Sequence, residues 1–93
     1  MDAMTNAYAW DRDKNKKLIA ERGFGFEDIV AEIELRGVLD DVDNPSPSYP
    51  HQRILFVALN DYAVAVPYVM DGDTKFLKTA FLSRRATKMY LNR

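Results

Sequence analysis

An α+β domain is the fold class that these 93 residues predict, and three observations carry the prediction. Two stretches in the first third are bounded by helix-capping residues, and the second places its apolar residues at helical spacing. The middle consists of short apolar runs separated by turn residues. A serine then opens a closing stretch whose apolar residues again recur at helical spacing. The length suits one domain, and a hydrophobic fraction of 47% is enough for a real core.

Tyr8-Ala9-Trp10 is a short aromatic run that predicts an opening edge strand. Asp11 follows as an N-cap, its carboxylate suited to orphan backbone N–H groups, with Asp13 in the first turn where the helix dipole favours negative charge. A helix is expected from about Arg12 to Arg22, with Leu18 and Ile19 as its apolar stripe and Gly23 at C′. Gly25 reads as the N-cap of a second helix, placing Phe24 at N′ and Ile29 at N4, the spacing of a hydrophobic staple. Phe26, Ile29, Val30 and Ile33 form its apolar stripe, and Gly37 closes it.

After Gly37 the period changes. Val38 to Val42 reads as a short strand, and Asp43 to Gln52, with three prolines, as a loop. Arg53 to Leu59 is apolar on both faces and predicts a central strand. Asn60-Asp61 makes a two-residue turn into Tyr62 to Val66, and Pro67 ends or bulges that strand or costs it a partner on one side. Asp71-Gly72-Asp73 is a second turn, followed by a strand over Lys75 to Leu82. Ser83 caps a last helix, Arg84 to Leu91, with Ala86, Met89 and Tyr90 toward the core. The sum is two N-terminal helices, an antiparallel sheet of three to four strands and a C-terminal helix.

No cysteine is present, which excludes a disulfide framework and thiolate metal sites. Met1 to Arg12 carries no apolar run, so no signal peptide is expected. The longest apolar run, Ala63 to Met70, is far shorter than the roughly 20 residues that a membrane span needs. A soluble, cytoplasmic protein with no membrane contact is expected. The net charge of −1 argues against a uniformly basic nucleic-acid binder. Its distribution differs: residues 75–93 hold Lys75, Lys78, Arg84, Arg85, Lys88 and Arg93 with no acid, while all fourteen acids lie in residues 1–74. A basic tail on an acidic body suits a polyanion or an acidic partner, and equally a short solvated helix. Asp40, Asp41 and Asp43 project to both faces of a strand edge, so no metal site is expected there. No P-loop, dinucleotide fingerprint or His/Cys ligand pattern occurs, and no cofactor is expected.

Several motifs in order resemble one family. Trp10-Asp11 with Lys14 and Asn15, then Glu21-Arg22-Gly23 and Phe26-Glu27-Asp28, is similar to the opening of BrnT-like toxins of the RelE superfamily. Leu39-Asp40-Asp41, Gln52-Arg53-Ile54 and Val66-Pro67-Tyr68-Val69 resemble the middle of one branch, and Lys78 to Thr87 its closing strand and helix. The resemblance spans about Tyr8 to Leu91. It implies a RelE-like fold and the toxin of a type II toxin–antitoxin pair that cleaves mRNA without a metal and so inhibits translation and growth. It also implies a cognate antitoxin, usually DNA-binding and here expected to be of ribbon-helix-helix type, in a heterotetramer; a homodimer is the other assembly considered. The chain departs from the better-known branch at Ser83, shifted by one position, and at Met89 and Tyr90, where that branch carries charges.

Metal-free RNA cleavage needs a group to activate the 2′-OH, cations to stabilise the phosphorane and a proton donor for the leaving oxygen. His51, the lone histidine, suits proton transfer near neutral pH, or is simply an exposed loop residue. Arg84 and Arg85 open the last helix and are the leading phosphate cations, since a guanidinium fork matches phosphate oxygens. Arg53 and Lys78 are expected on neighbouring strands facing one concave surface, or else paired with acids across strands. Lys14, Lys17 and Lys88 are candidate contacts along an RNA path, or solvated lysines, and Tyr90 is a further candidate or a core residue. The competing reading is a non-catalytic protein of the same fold that binds an antitoxin-like partner.

Overall fold

The computed structural model describes residues 2–5 and 7–93, with side chains from Ala7 onward; Met1 and Asn6, within the N-terminal stretch read for a signal peptide, lie outside the described residues. In chain order the elements are β1 (Asp2–Thr5), β2 (Tyr8–Asp11), α1 (Arg12–Arg22), α2 (Phe26–Arg36), β3 (Asp40–Asp43), β4 (Arg53–Leu59), β5 (Tyr62–Asp71), β6 (Thr74–Leu77), β7 (Phe81–Leu82) and α3 (Arg84–Leu91). Six strands form one mixed sheet in the order β1-β2-β6-β5-β4-β3, and the two-residue β7 pairs with β5.

Local chemistry sets the helix ends where the sequence places them. The Asp11 carboxylate accepts from the N–H groups of Asp13 and Lys14 at 2.8 and 3.4 Å. Gly23 closes α1 at φ 79°, a left-handed conformation that glycine adopts without a Cβ clash. The Asp28 carboxylate accepts from Gly25 N–H at 2.8 Å, and Asn15, buried on α1, accepts from Phe26 N–H at 2.7 Å. Asn15 thereby serves as a remote cap for α2 and locks the two helices together. A Cβ on Gly25 would lie 2.7 Å from Asn15 Oδ1 and 2.9 Å from Ile19 Cγ1, so this close approach requires glycine.

The sheet departs from the expected antiparallel three or four strands. Tyr8–Asp11 is not an edge: it pairs antiparallel with β1 and parallel with β6. The expected strand over Lys75 to Leu82 is broken at Lys78–Ala80. Pro67 explains the break. A strand residue projects its N–H and C=O to the same side, and the Pro67 carbonyl accepts from Lys78 N–H at 2.8 Å. The missing proline N–H therefore falls on the β6/β7 side, while the β4–β5 register, with Ile54 opposite Pro67, runs on undisturbed. Asn60 and Asp61, at φ 53° and 62°, make the β4–β5 turn with both residues left-handed, as a type I′ turn requires.

Alternation along the strands sorts the two faces. Leu55, Val57, Val64, Val66, Tyr68 and Leu77 share one core with Trp10, Leu18, Phe26, Ile29 and Val30, so α1 and α2 cover that face. The opposite face presents small Ala63 and Ala65, both buried, and receives α3. Thr87 ties α3 down: its hydroxyl accepts from Ala63 N–H at 2.8 Å and donates to Ser83 O at 2.7 Å. Met89, expected toward the core, is 62% exposed instead, and Thr87 takes the buried position. No helix among the described residues is long and apolar enough to cross a membrane.

Candidate RNA-binding face beside the last helix

Ser83 extends from β7 and caps α3, accepting from Ala86 N–H at 3.1 Å. That cap fixes where Arg84 and Arg85 leave the backbone. Both are exposed, and among the described residues neither has an acidic partner. Arg85 overhangs an open groove of about 410 Å³ between α3 and the β3–β4 edge, floored by Ile54 and Phe56 and flanked by Met89 and Tyr90. Lys88 is exposed on the same helix.

Tyr90 packs against Phe56, ring centres 5.5 Å apart and planes tilted by 41°, and donates its hydroxyl to Asp40 Oδ2 at 2.6 Å. This bond, followed by the Asp41 backbone N–H, holds the Asp40 carboxyl below the usual carboxylate range. The same bond raises the Tyr90 pKa, with desolvation adding to it. The single O–H of Tyr90 is thus committed to Asp40, and its ring and oxygen lone pair are what it offers the groove.

A second groove of about 400 Å³ adjoins the first, sharing Pro45 and Ile54, and adds Tyr49, Gln52, Pro67, Lys78 and Phe81. The loop over Asn44 to Gln52 forms its wall and is ordered by its own bonds: Asn44 N–H to Gln52 O, Tyr49 N–H to Ser46 O and Gln52 N–H to Tyr49 O, each 3.1 Å. Tyr49 and Phe81 remain 53% and 39% exposed. Neither aromatic was among the sequence candidates; an exposed tyrosine between Ser48 and Pro50 was the one signal available.

Arg53 does not join this face. Alternation puts it on the α1–α2 side, where Nε donates to Asp41 Oδ1 at 3.1 Å, Nη2 to Asp41 O at 2.9 Å and Nη1 to Asp43. The Tyr68 hydroxyl also donates to Asp41, at 2.8 Å, and burial raises its pKa, with the bond to Asp41 adding to the rise. The expectation that Arg53 and Lys78 sit on neighbouring strands and share a surface is therefore corrected. β5 separates β4 from β6, Lys78 lies in the β6–β7 break, and Arg53 is occupied by acids. Lys14 and Lys17 stand on α1, across the sheet from α3, and do not converge with Arg84 and Arg85. His51 is exposed in the loop and lines neither groove. Among the described residues no three His, Cys, Asp or Glu side chains are grouped to hold a metal ion.

Comparison with protein-family models, with curated proteins and with solved structures finds no match to this chain.

Proposed function

We propose that this chain is a BrnT-like toxin with a RelE-like fold, a cytoplasmic endoribonuclease that acts on mRNA without a metal and is restrained by a cognate antitoxin. The observation that supports the reading is Arg85 lining an open groove at the capped start of α3, with Arg84 exposed next to it and neither paired with an acid among the described residues. Two guanidinium forks at a helix N-terminus match the oxygens of a scissile phosphate and the charge that grows on it in the transition state. The ring of Tyr90 supplies a stacking surface for the adjoining nucleotide. Cleavage then proceeds by attack of the ribose 2′-oxygen on phosphorus as the bond to the 5′-oxygen breaks, with water taking the 2′-OH proton and protonating the leaving oxygen, to give a 2′,3′-cyclic phosphate and a 5′-hydroxyl. Positioning and charge stabilisation do most of the work, because the titratable groups that line the groove are already engaged, Asp43 by Arg53 and Tyr90 by Asp40.

That last feature equally favours the second reading, a non-catalytic protein of this fold that binds a partner through the same face. Tightly controlled induction separates the two, comparing the wild type with Arg84→Ala/Arg85→Ala and following growth and total RNA. The ribonuclease reading expects arrest with RNA loss in the wild type alone. Normal growth with intact RNA, from a wild-type chain shown to be folded and expressed, leaves the binding protein.

A further inference from the structure

We infer that the groove between the proline-rich loop and β7 is a pocket for one unpaired RNA base, next along the strand from the phosphate held by Arg84 and Arg85. The inference rests on the RNA reading above and names a part of the ligand that the arginines cannot read.

Four observations converge on it. Tyr49 and Phe81 are exposed aromatics lining the same small groove, and unpaired bases are held by stacking on such rings. Pro45, Ile54 and Pro67 give the groove an apolar floor suited to the face of a base. Gln52 lies at its wall with its amide oxygen at 3.4 Å from Asn44 Nδ2, which leaves the Gln52 amide N–H groups to meet acceptors on a base edge. Lys78 stands on the rim, its ammonium 5.3 Å from the Phe76 ring centre, and supplies positive charge where the strand would leave the groove. The groove adjoins the one beneath Arg85 at Pro45 and Ile54, which line both, so one short strand can reach from one to the other. Two aromatics and an amide recognise a base, whereas arginines on phosphate carry no sequence information. The pocket therefore determines which nucleotide stands beside the cleaved bond.

The test is binding of a short single-stranded RNA by fluorescence anisotropy, beside the same RNA carrying one abasic nucleotide scanned along its length. The proteins are the wild type, Tyr49→Ala/Phe81→Ala, Tyr49→Phe and Arg84→Ala/Arg85→Ala, each checked for an unchanged unfolding midpoint. The wild type should lose roughly five- to a hundredfold in affinity when the abasic position falls in the pocket, the range of one base stacked on an aromatic ring. Tyr49→Ala/Phe81→Ala should bind both RNAs equally weakly, and Tyr49→Phe should behave as the wild type. Wild-type affinity in Tyr49→Ala/Phe81→Ala, with Arg84→Ala/Arg85→Ala weakened, overturns the base pocket, keeps the RNA reading and leaves the groove to a protein partner. No RNA binding by the wild type overturns both.

Discussion

Arg53 and the Arg84–Arg85 pair lie on opposite faces of one sheet, and the chain uses them in opposite ways. On the α1–α2 face, Arg53 bridges two aspartates of the edge strand β3, and the buried Tyr68 hydroxyl shares the same Asp41 carboxylate. Its charge is neutralised where it stands, and the bonds hold β3 onto β4. On the α3 face, Arg84 and Arg85 meet no acid among the described residues and are held in place only through the backbone and the Ser83 cap. One arginine is a structural clamp; the other two remain available to an anion. Charge counting along the chain cannot separate these roles, because Arg53 and the aspartates that neutralise it are 10 and 12 residues apart.

The strongest way to break the clamp is at its shared acceptor. Asp41→Ala removes the acceptor of a buried phenol and the side-chain contact of Arg53 Nε, and should lower the unfolding free energy by about 1–3 kcal/mol, the cost of an unsatisfied buried group. Urea denaturation reads this directly, and a midpoint equal to wild type would show that the network holds nothing.

The complementary change is Arg84→Ala/Arg85→Ala. The unfolding midpoint should stay put while RNA affinity falls, and the slope of log affinity against log salt should shrink by about 0.7 for each arginine on a single-stranded phosphate. A salt series of RNA titrations checks it. An unchanged slope would remove both residues from the RNA site. Arg53→Ala sharpens the contrast by reversing it, with a lower unfolding midpoint and an RNA affinity and salt slope that match the wild type. A weakened slope in that variant would mean that the clamp opens to bind RNA.

The smallest effect is expected at Asp40. Its carboxyl is held below the usual range first by the Tyr90 hydroxyl and then by the Asp41 N–H. A depressed folded pKa contributes stability that is present above the unfolded value, near 3.9, and is lost as pH falls through the folded pKa. The gap in melting temperature between the wild type and Asp40→Asn should therefore be modest, because the pair is solvent-accessible and screened. It should close as the pH drops below about 4. A gap that holds constant through acid would place the Asp40–Tyr90 bond outside the stability of α3.

The features legible in the sequence are those whose causes are local. Asp11, Gly23, Gly37 and Ser83 mark helix ends because caps and left-handed φ act within a few residues. Asn60-Asp61 marks its hairpin for the same reason. One miss, the pairing of β1 with β2, lies between near neighbours, and the others involve partners distant in sequence. The parallel pairing of β2 with β6 joins residues more than sixty positions apart, and the outward turn of Met89 depends on how closely Ala63 and Ala65 let α3 approach. For the candidate site, Arg84 and Arg85 were legible from their place after a capping serine. Tyr49, Gln52 and Phe81 were not, since a loop and a two-residue strand form a groove only once Pro67 has broken the ladder between them.

Local chemistry along the chain was enough for the fold class, the helix boundaries, the two hairpin turns and a stretch from Lys75 to Arg93 that holds six cations and no acid. Only the tertiary structure decided which cations are neutralised, which face of the sheet each one occupies and where aromatic surface stays open. Capping and turn chemistry act over a few neighbouring residues, whereas a charge is neutralised or left free by strand register and the placing of a helix on one side of a sheet. Those depend on contacts that no local pattern specifies.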